Sequence, residues 1–132
     1  MKEQAKTLIT KAMDDLALVE KLVSDERQHD NCGNHLAQTT EKFLKALCEL
    51  EDLTYPKNGK NGHMLDLLFS IVRDSNKFGF IDDYLELIRL DVYDSGSRYD
   101  YVMDSERVNL NKYYGLNQGF MKEVLKVYKD KK

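Results

Sequence analysis

The segment from Asn34 to Leu50, NHLAQTTEKFLKALCEL, limits what this chain can fold into more than any other stretch. Read as a helix, it places Leu36, Thr40, Phe43, Leu47 and Leu50 on one stripe at alternating four- and three-residue steps, with Ala37, Leu44 and Cys48 beside them. An apolar face that wide touches two neighbours at once, so the segment is expected to be the central helix of a bundle. Glu41 and Lys45 stand four apart on another face in the favourable order, a pair worth roughly 0.2–0.5 kcal/mol.

The flanking sequence supplies partners for that helix. From Lys2 to about Ser24, Ala5, Ile9, Ala12, Leu16, Val19 and Val23 recur at four-three steps, which predicts a long amphipathic first helix. The polar run Asp25 to Asn31 leads to Gly33 and places a turn there, so the first two helices form a hairpin. Beyond Glu51, the stretch Leu53 to Gly62 holds the single proline and two Asn/Lys-Gly steps, an exposed loop carrying Lys57 and Lys60. His63 then opens a short segment, Met64 to Val72, apolar almost all round. Ile81, Tyr84, Leu85, Ile88 and Val92 mark a fourth helix to about Tyr93, and Asp94 to Ser97 breaks it. The last helix carries Leu110, Tyr113, Tyr114, Asn117, Phe120, Val124, Val127 and Tyr128 near one stripe, and starts between Ser105 and Leu116. No segment alternates like a strand. The expectation is an all-α protein, a four- to five-helix up-and-down bundle forming one domain over residues 1–132.

Composition agrees and excludes little. The formal net charge of −3 gives no general attraction to nucleic acid, and no apolar run is long enough to cross a membrane. Cys32 and Cys48 lie at the two ends of the central segment, and a continuous helix between them would separate their Cα atoms by roughly 24 Å, against the roughly 7 Å limit of a disulfide, so both are expected as free thiols in a cytoplasmic protein.

The run Ala37-Gln38-Thr39-Thr40-Glu41-Lys42-Phe43-Leu44-Lys45-Ala46-Leu47 has the form Ala-Gln-x-x-Glu-Lys-x-x-Lys-Ala-Leu. Together with His63-Met64-Leu65 opening the third helix and Arg98-Tyr99 after the fourth, it resembles the HEPN family of prokaryotic helical proteins over about Leu8 to Val127. Many members of that family are ribonucleases with an arginine after the fourth helix and a histidine several residues later. An imidazole there moves the proton of an RNA 2′-hydroxyl while the guanidinium stabilises phosphorane charge. Here Arg98 is followed by Tyr99, Asp100, Tyr101, Val102, Met103 and Asp104, and no histidine occurs beyond His63. The resemblance therefore implies a non-catalytic member: a homodimeric binding or regulatory subunit beside a small nucleotidyltransferase, in a toxin–antitoxin-like pair, with no cofactor. The alternatives are a metal-independent ribonuclease using Arg98 with Asp100, Asp104 or His63, and a plain helical adaptor.

The candidate nucleotide- or partner-binding residues are Arg98, Tyr99, Tyr101, His63 and Lys42, with RNA as a further ligand to consider. Arg98 in a Gly-Ser turn beside tyrosines suits a phosphate or a partner carboxylate; its plain reading is a surface arginine packed on Tyr99. Tyr93, Tyr99, Tyr101, Tyr113 and Tyr114 either form a platform for bases or are half-buried rims of the bundle or a dimer contact. In some family pairs a tyrosine near the motif accepts a nucleotide, which marks Tyr101 or Tyr99. His63 suits a helix-capping imidazole. Cys32-x-x-His35 has zinc-like spacing without a second pair, and Glu26-x-x-His29 has no second Glu-x-x-His, so no metal site is expected.

Overall fold

The computed structural model describes residues 2–56, 64–94 and 110–131. These form helices α1 (Lys2–Leu22), α2 (His29–Leu50), α3 (Met64–Asp74), α4 (Asp91–Asp94) and α5 (Leu110–Asp130), with 3₁₀ segments at Glu26–Gln28 and Ile81–Leu90. There is no strand among the described residues. The all-α bundle expected from the sequence is what the chain forms.

Helix α1 buries the predicted stripe of Ala5, Ile9, Ala12, Leu16 and Val19. The hairpin turn is set by Asp25, whose carboxylate accepts the Arg27 backbone N–H at 3.0 Å and starts the short 3₁₀ segment. That same hydrogen bond holds the Asp25 carboxyl below its usual range. Helix α2 begins at His29 and runs straight through Gly33, so the glycine read as part of a turn is helical. Its reason is tertiary: a Cβ on Gly33 would lie 2.6 Å from the Tyr93 ring, which packs against the bare helix backbone.

Helix α2 touches α1, α3, α4, α5 and both 3₁₀ segments, and its buried residues lie on nearly every side. Phe43 meets Phe120 of α5 edge-on at 5.9 Å between ring centroids, and Phe120 also contacts Phe69, Phe80 and Tyr84. One buried polar rung crosses the same interface. Thr40 Oγ1 lies 2.9 Å from the Leu36 carbonyl and 3.0 Å from Asn117 Oδ1, its one proton shared between two acceptors.

Two segments differ from expectation. The fourth helix is 3₁₀ from Ile81 to Leu90, and only Asp91–Asp94 is α-helical. Ile81, Tyr84, Leu87 and Leu90 recur every three residues, the repeat that a 3₁₀ helix turns into one stripe; Ile81, Leu87 and Leu90 are buried, while Leu85 and Ile88 are only half-buried. Helix α3, apolar almost all round in sequence, buries Met64, Leu65, Leu68, Phe69 and Val72 but leaves Leu67 46% exposed, so one of its apolar sides faces solvent. No helix among the described residues is long and apolar enough to cross a membrane.

These placements separate core from surface sharply. Phe120→Ala should destabilise the fold by about 3–5 kcal/mol, whereas Leu67→Ala should change it by less than about 0.5 kcal/mol; paired urea unfolding curves of the two variants check the contrast.

Candidate ligand and partner site

The site is best built from α4, because Arg98, Tyr99 and Tyr101 follow it closely along the chain. A helix of four residues has no stability of its own. Two side chains hold it. Asp91 accepts the backbone N–H of Leu65 at 3.0 Å through one carboxylate oxygen and that of Asp66 at 3.1 Å through the other. A cap for the start of α3 thus comes from 26 residues further along the chain, satisfying donors that a helix start leaves without intrahelical partners. Tyr93, on the same short helix, lays its ring on Gly33 and places its hydroxyl 2.8 Å from His29 Nε2. The two rings meet edge-on with centroids 5.7 Å apart, and both residues are buried.

Arg98, Tyr99, Tyr101 and His63 lie outside the described residues. Chain connectivity still bounds the arginine: it follows Tyr93 by five residues, which span at most about 18 Å. His63 directly precedes Met64, the first residue of α3. The Asp91 cap therefore draws together the chain position after His63 and the helix that leads to Arg98. Among the described residues, nothing in the sequence announced this. An aspartate between Leu90 and Val92 reads as the polar side of a helix, and a cap reaching back 26 residues has no local signature.

Lys42 is placed elsewhere. Its ammonium pairs with Asp15 of α1, with the lysine side chain 26% and the aspartate side chain 17% exposed. The other Asp15 oxygen faces His35 Nδ1 at 3.6 Å. Lys42 follows Gly33 by nine residues, which is about half a turn out of phase round the helix and roughly 13.5 Å along it. Within one chain, then, Lys42 faces α1 while Tyr93 lies on the opposite side of α2. Glu41 and Lys45 form the predicted pair at 2.8 Å. The tyrosine platform also contracts, because Tyr93 and Tyr113 are buried in the bundle and Tyr114 is half-buried.

Cys32 and Cys48 are both buried free thiols on α2, as the helix between them requires. Burial pushes the Cys32 thiol up to about 11.

The geometry on α2 agrees with a wider pattern in the whole sequence. The model of the HEPN domain matches residues 5–127. The chain belongs to the HEPN family. The match takes in α1 through nearly all of α5, so the hairpin, the α4 fasteners and the arginine segment all fall within the HEPN domain. No curated protein and no solved structure matches the chain.

In the native HEPN chain at pH 8, the thiolate fraction at Cys32 is about one part in a thousand, so labelling by a thiol-specific disulfide reagent should be slow. Both cysteines should react promptly in denaturant; fast native labelling of Cys32 would contradict its placement. Removal of the long-range cap, by Asp91→Ala, should cost about 0.5–2 kcal/mol, read as a lower urea midpoint with an unchanged slope.

Proposed function

We propose that this HEPN chain is a binding or regulatory subunit, a homodimer that partners a small nucleotidyltransferase in a toxin–antitoxin-like pair, and that Arg98 with Tyr99 and Tyr101 holds the phosphate and base of a nucleotide. The observation that carries the reading is that Arg98 is followed by no histidine anywhere in the chain. A guanidinium binds phosphate oxygens in a bidentate fork at any ordinary pH and tyrosines offer stacking faces, so this set suits holding a nucleotide. It lacks, after the arginine, an imidazole to move the 2′-hydroxyl proton. The tagged full chain, purified from its native host, should carry a nucleotidyltransferase with it and should melt higher in the presence of ATP. Recovery of the chain without such a partner, together with no ATP-dependent shift, would refute the proposal.

One structural observation favours a second reading, a metal-independent ribonuclease. The Asp91 cap links the start of α3, which His63 precedes, to the helix that leads to Arg98. In that reading His63 takes the part of the missing imidazole. Purified wild type should then cleave a structured RNA in the presence of a chelator, and Arg98→Ala and His63→Ala should each abolish cleavage while leaving the melting temperature near wild type. Wild-type protein that leaves the RNA intact disposes of this alternative.

A further inference from the structure

An open groove of about 190 Å³ runs between α1 and α5. Met13, Leu16 and Ala17 of α1, with Tyr114 and Met121 of α5, form its apolar lining, and Met13 is 39% exposed. Its polar members gather at the Tyr114 end. Gln118 Nε2 donates to the Tyr114 hydroxyl at 3.2 Å, and partial burial followed by the Glu20 carboxylate raises the Tyr114 phenol above its ordinary range.

The exposed surface of α5 beside the groove is basic. Lys122, Lys126 and Lys129 recur at four-three steps and so share one exposed stripe, about 10.5 Å from first to last. Asn111, Gly115 and Gln118 continue that stripe, which holds no carboxylate. The two acids of α5, Glu123 and Asp130, fall about a quarter-turn round the helix, on the side away from Met121 and Tyr114. In keeping with that, the Glu123 carboxylate acts on Tyr84, which belongs to the 3₁₀ segment Ile81–Leu90. Lys112 is paired with Glu86 and Lys131 with Glu51, whereas none of the three stripe lysines is in an ion pair among the described residues.

We propose that this groove is the docking site for an acidic amphipathic helix of a partner protein, with the partner's apolar stripe seated between Met13 and Met121 and its carboxylates meeting Lys122 and Lys129. The proposal does not depend on what Arg98 binds. Charge and shape together select this occupant. Nucleic acid would engage the lysines through its phosphates but would leave the apolar lining unused. A second copy presents the same surface, in which Glu20 is the one carboxylate lining the groove, so the three lysines would go without partners. Methionine on both walls suits a helical ligand, because an unbranched thioether side chain repacks around side chains of varied shape.

The probe is a dye-labelled synthetic helix about five turns long, with leucines along one stripe and glutamates on both sides of it. Its binding to the full-length protein is followed by fluorescence anisotropy, with the melting temperature of every variant recorded alongside. The peptide should bind, and more weakly as salt is raised. Lys122→Glu combined with Lys129→Glu should lower affinity about tenfold, and Met13→Gln about fivefold. All three side chains are exposed, so melting temperatures should stay within a few degrees of wild type. A peptide with lysines in place of the glutamates should fail to bind wild type and should bind the doubly reversed variant. The proposal is overturned if the acidic peptide does not bind, if the lysine peptide binds wild type equally well, or if the variants keep full affinity. Poly-uridylate that displaces the peptide and loses affinity in the doubly reversed variant would assign the stripe to nucleic acid instead. Self-association on sedimentation that Met13→Gln abolishes would assign the groove to a second copy, which overturns the proposal equally.

Discussion

Every other element of this bundle depends on α2 being buried on most of its circumference. Leu36, Phe43, Leu44, Ala46, Leu47 and Cys48 are all fully enclosed, and they point in several directions round one helix. At about 25 cal/mol for each Å² of apolar surface removed from water, this burial supplies the leading favourable contribution. It also dictates topology, because a helix wanted by neighbours on several sides must be inserted between them. The residues of α2 that are only half-buried, Asn34, His35, Gln38, Glu41, Lys42, Lys45 and Glu49, form the one polar stripe left over. Along it the charges are matched: Lys42 with Asp15, and Lys45 with Glu41. Leaving either ammonium unpaired at that depth would cost more than a surface charge does, whereas the paired arrangement is close to neutral in its net effect.

The sequence made this helix legible because its signal is local and periodic. The same holds for α1 and α5, whose buried positions Ala5 to Val19 and Leu110 to Val124 fall on the predicted stripes. Periodicity failed where two periods compete. Ile81 to Leu90 contains apolar residues at both three-residue and four-residue steps, and the choice of the 3₁₀ repeat is decided by which of them find neighbours in the core. It also failed at Gly33. A glycine after a polar run reads as a break, yet here it is helical, and an aromatic ring from 60 residues further along fills the space that a side chain would need. In both cases the deciding information lies in a distant part of the chain, so no reading of the local window reaches it.

The candidate site was legible in a different and narrower sense. Arg98, Tyr99, Tyr101 and His63 stood out by residue type and by order along the chain, and all of them fall outside the described residues. Lys42 stood out only through the run that it shares with Glu41 and Lys45, and its ammonium is engaged with Asp15 on the face of α2 turned towards α1. The residues that anchor α4 were not legible at all. Asp91, His29 and Tyr93 are individually unremarkable, and each acquires meaning from long-range contacts: with the α3 backbone for Asp91, and with each other for the remaining two.

That division has a physical basis. A ligand-contacting residue must present a particular chemistry, so its type alone carries information. A residue that positions another carries its information in distance and direction, which appear only once the chain has folded. Helix α4 makes the point in its smallest form, since four residues cannot hold a helix by their own hydrogen bonds. One carboxylate shared between two backbone donors, and one phenol between an imidazole and a glycine, replace the stability that length would otherwise provide. Short helices anchored in this way can be released by the loss of a single contact without unfolding the bundle around them. In this HEPN chain the bundle gives α4 its fixed frame, and the two anchors hold that short helix against α2 and α3.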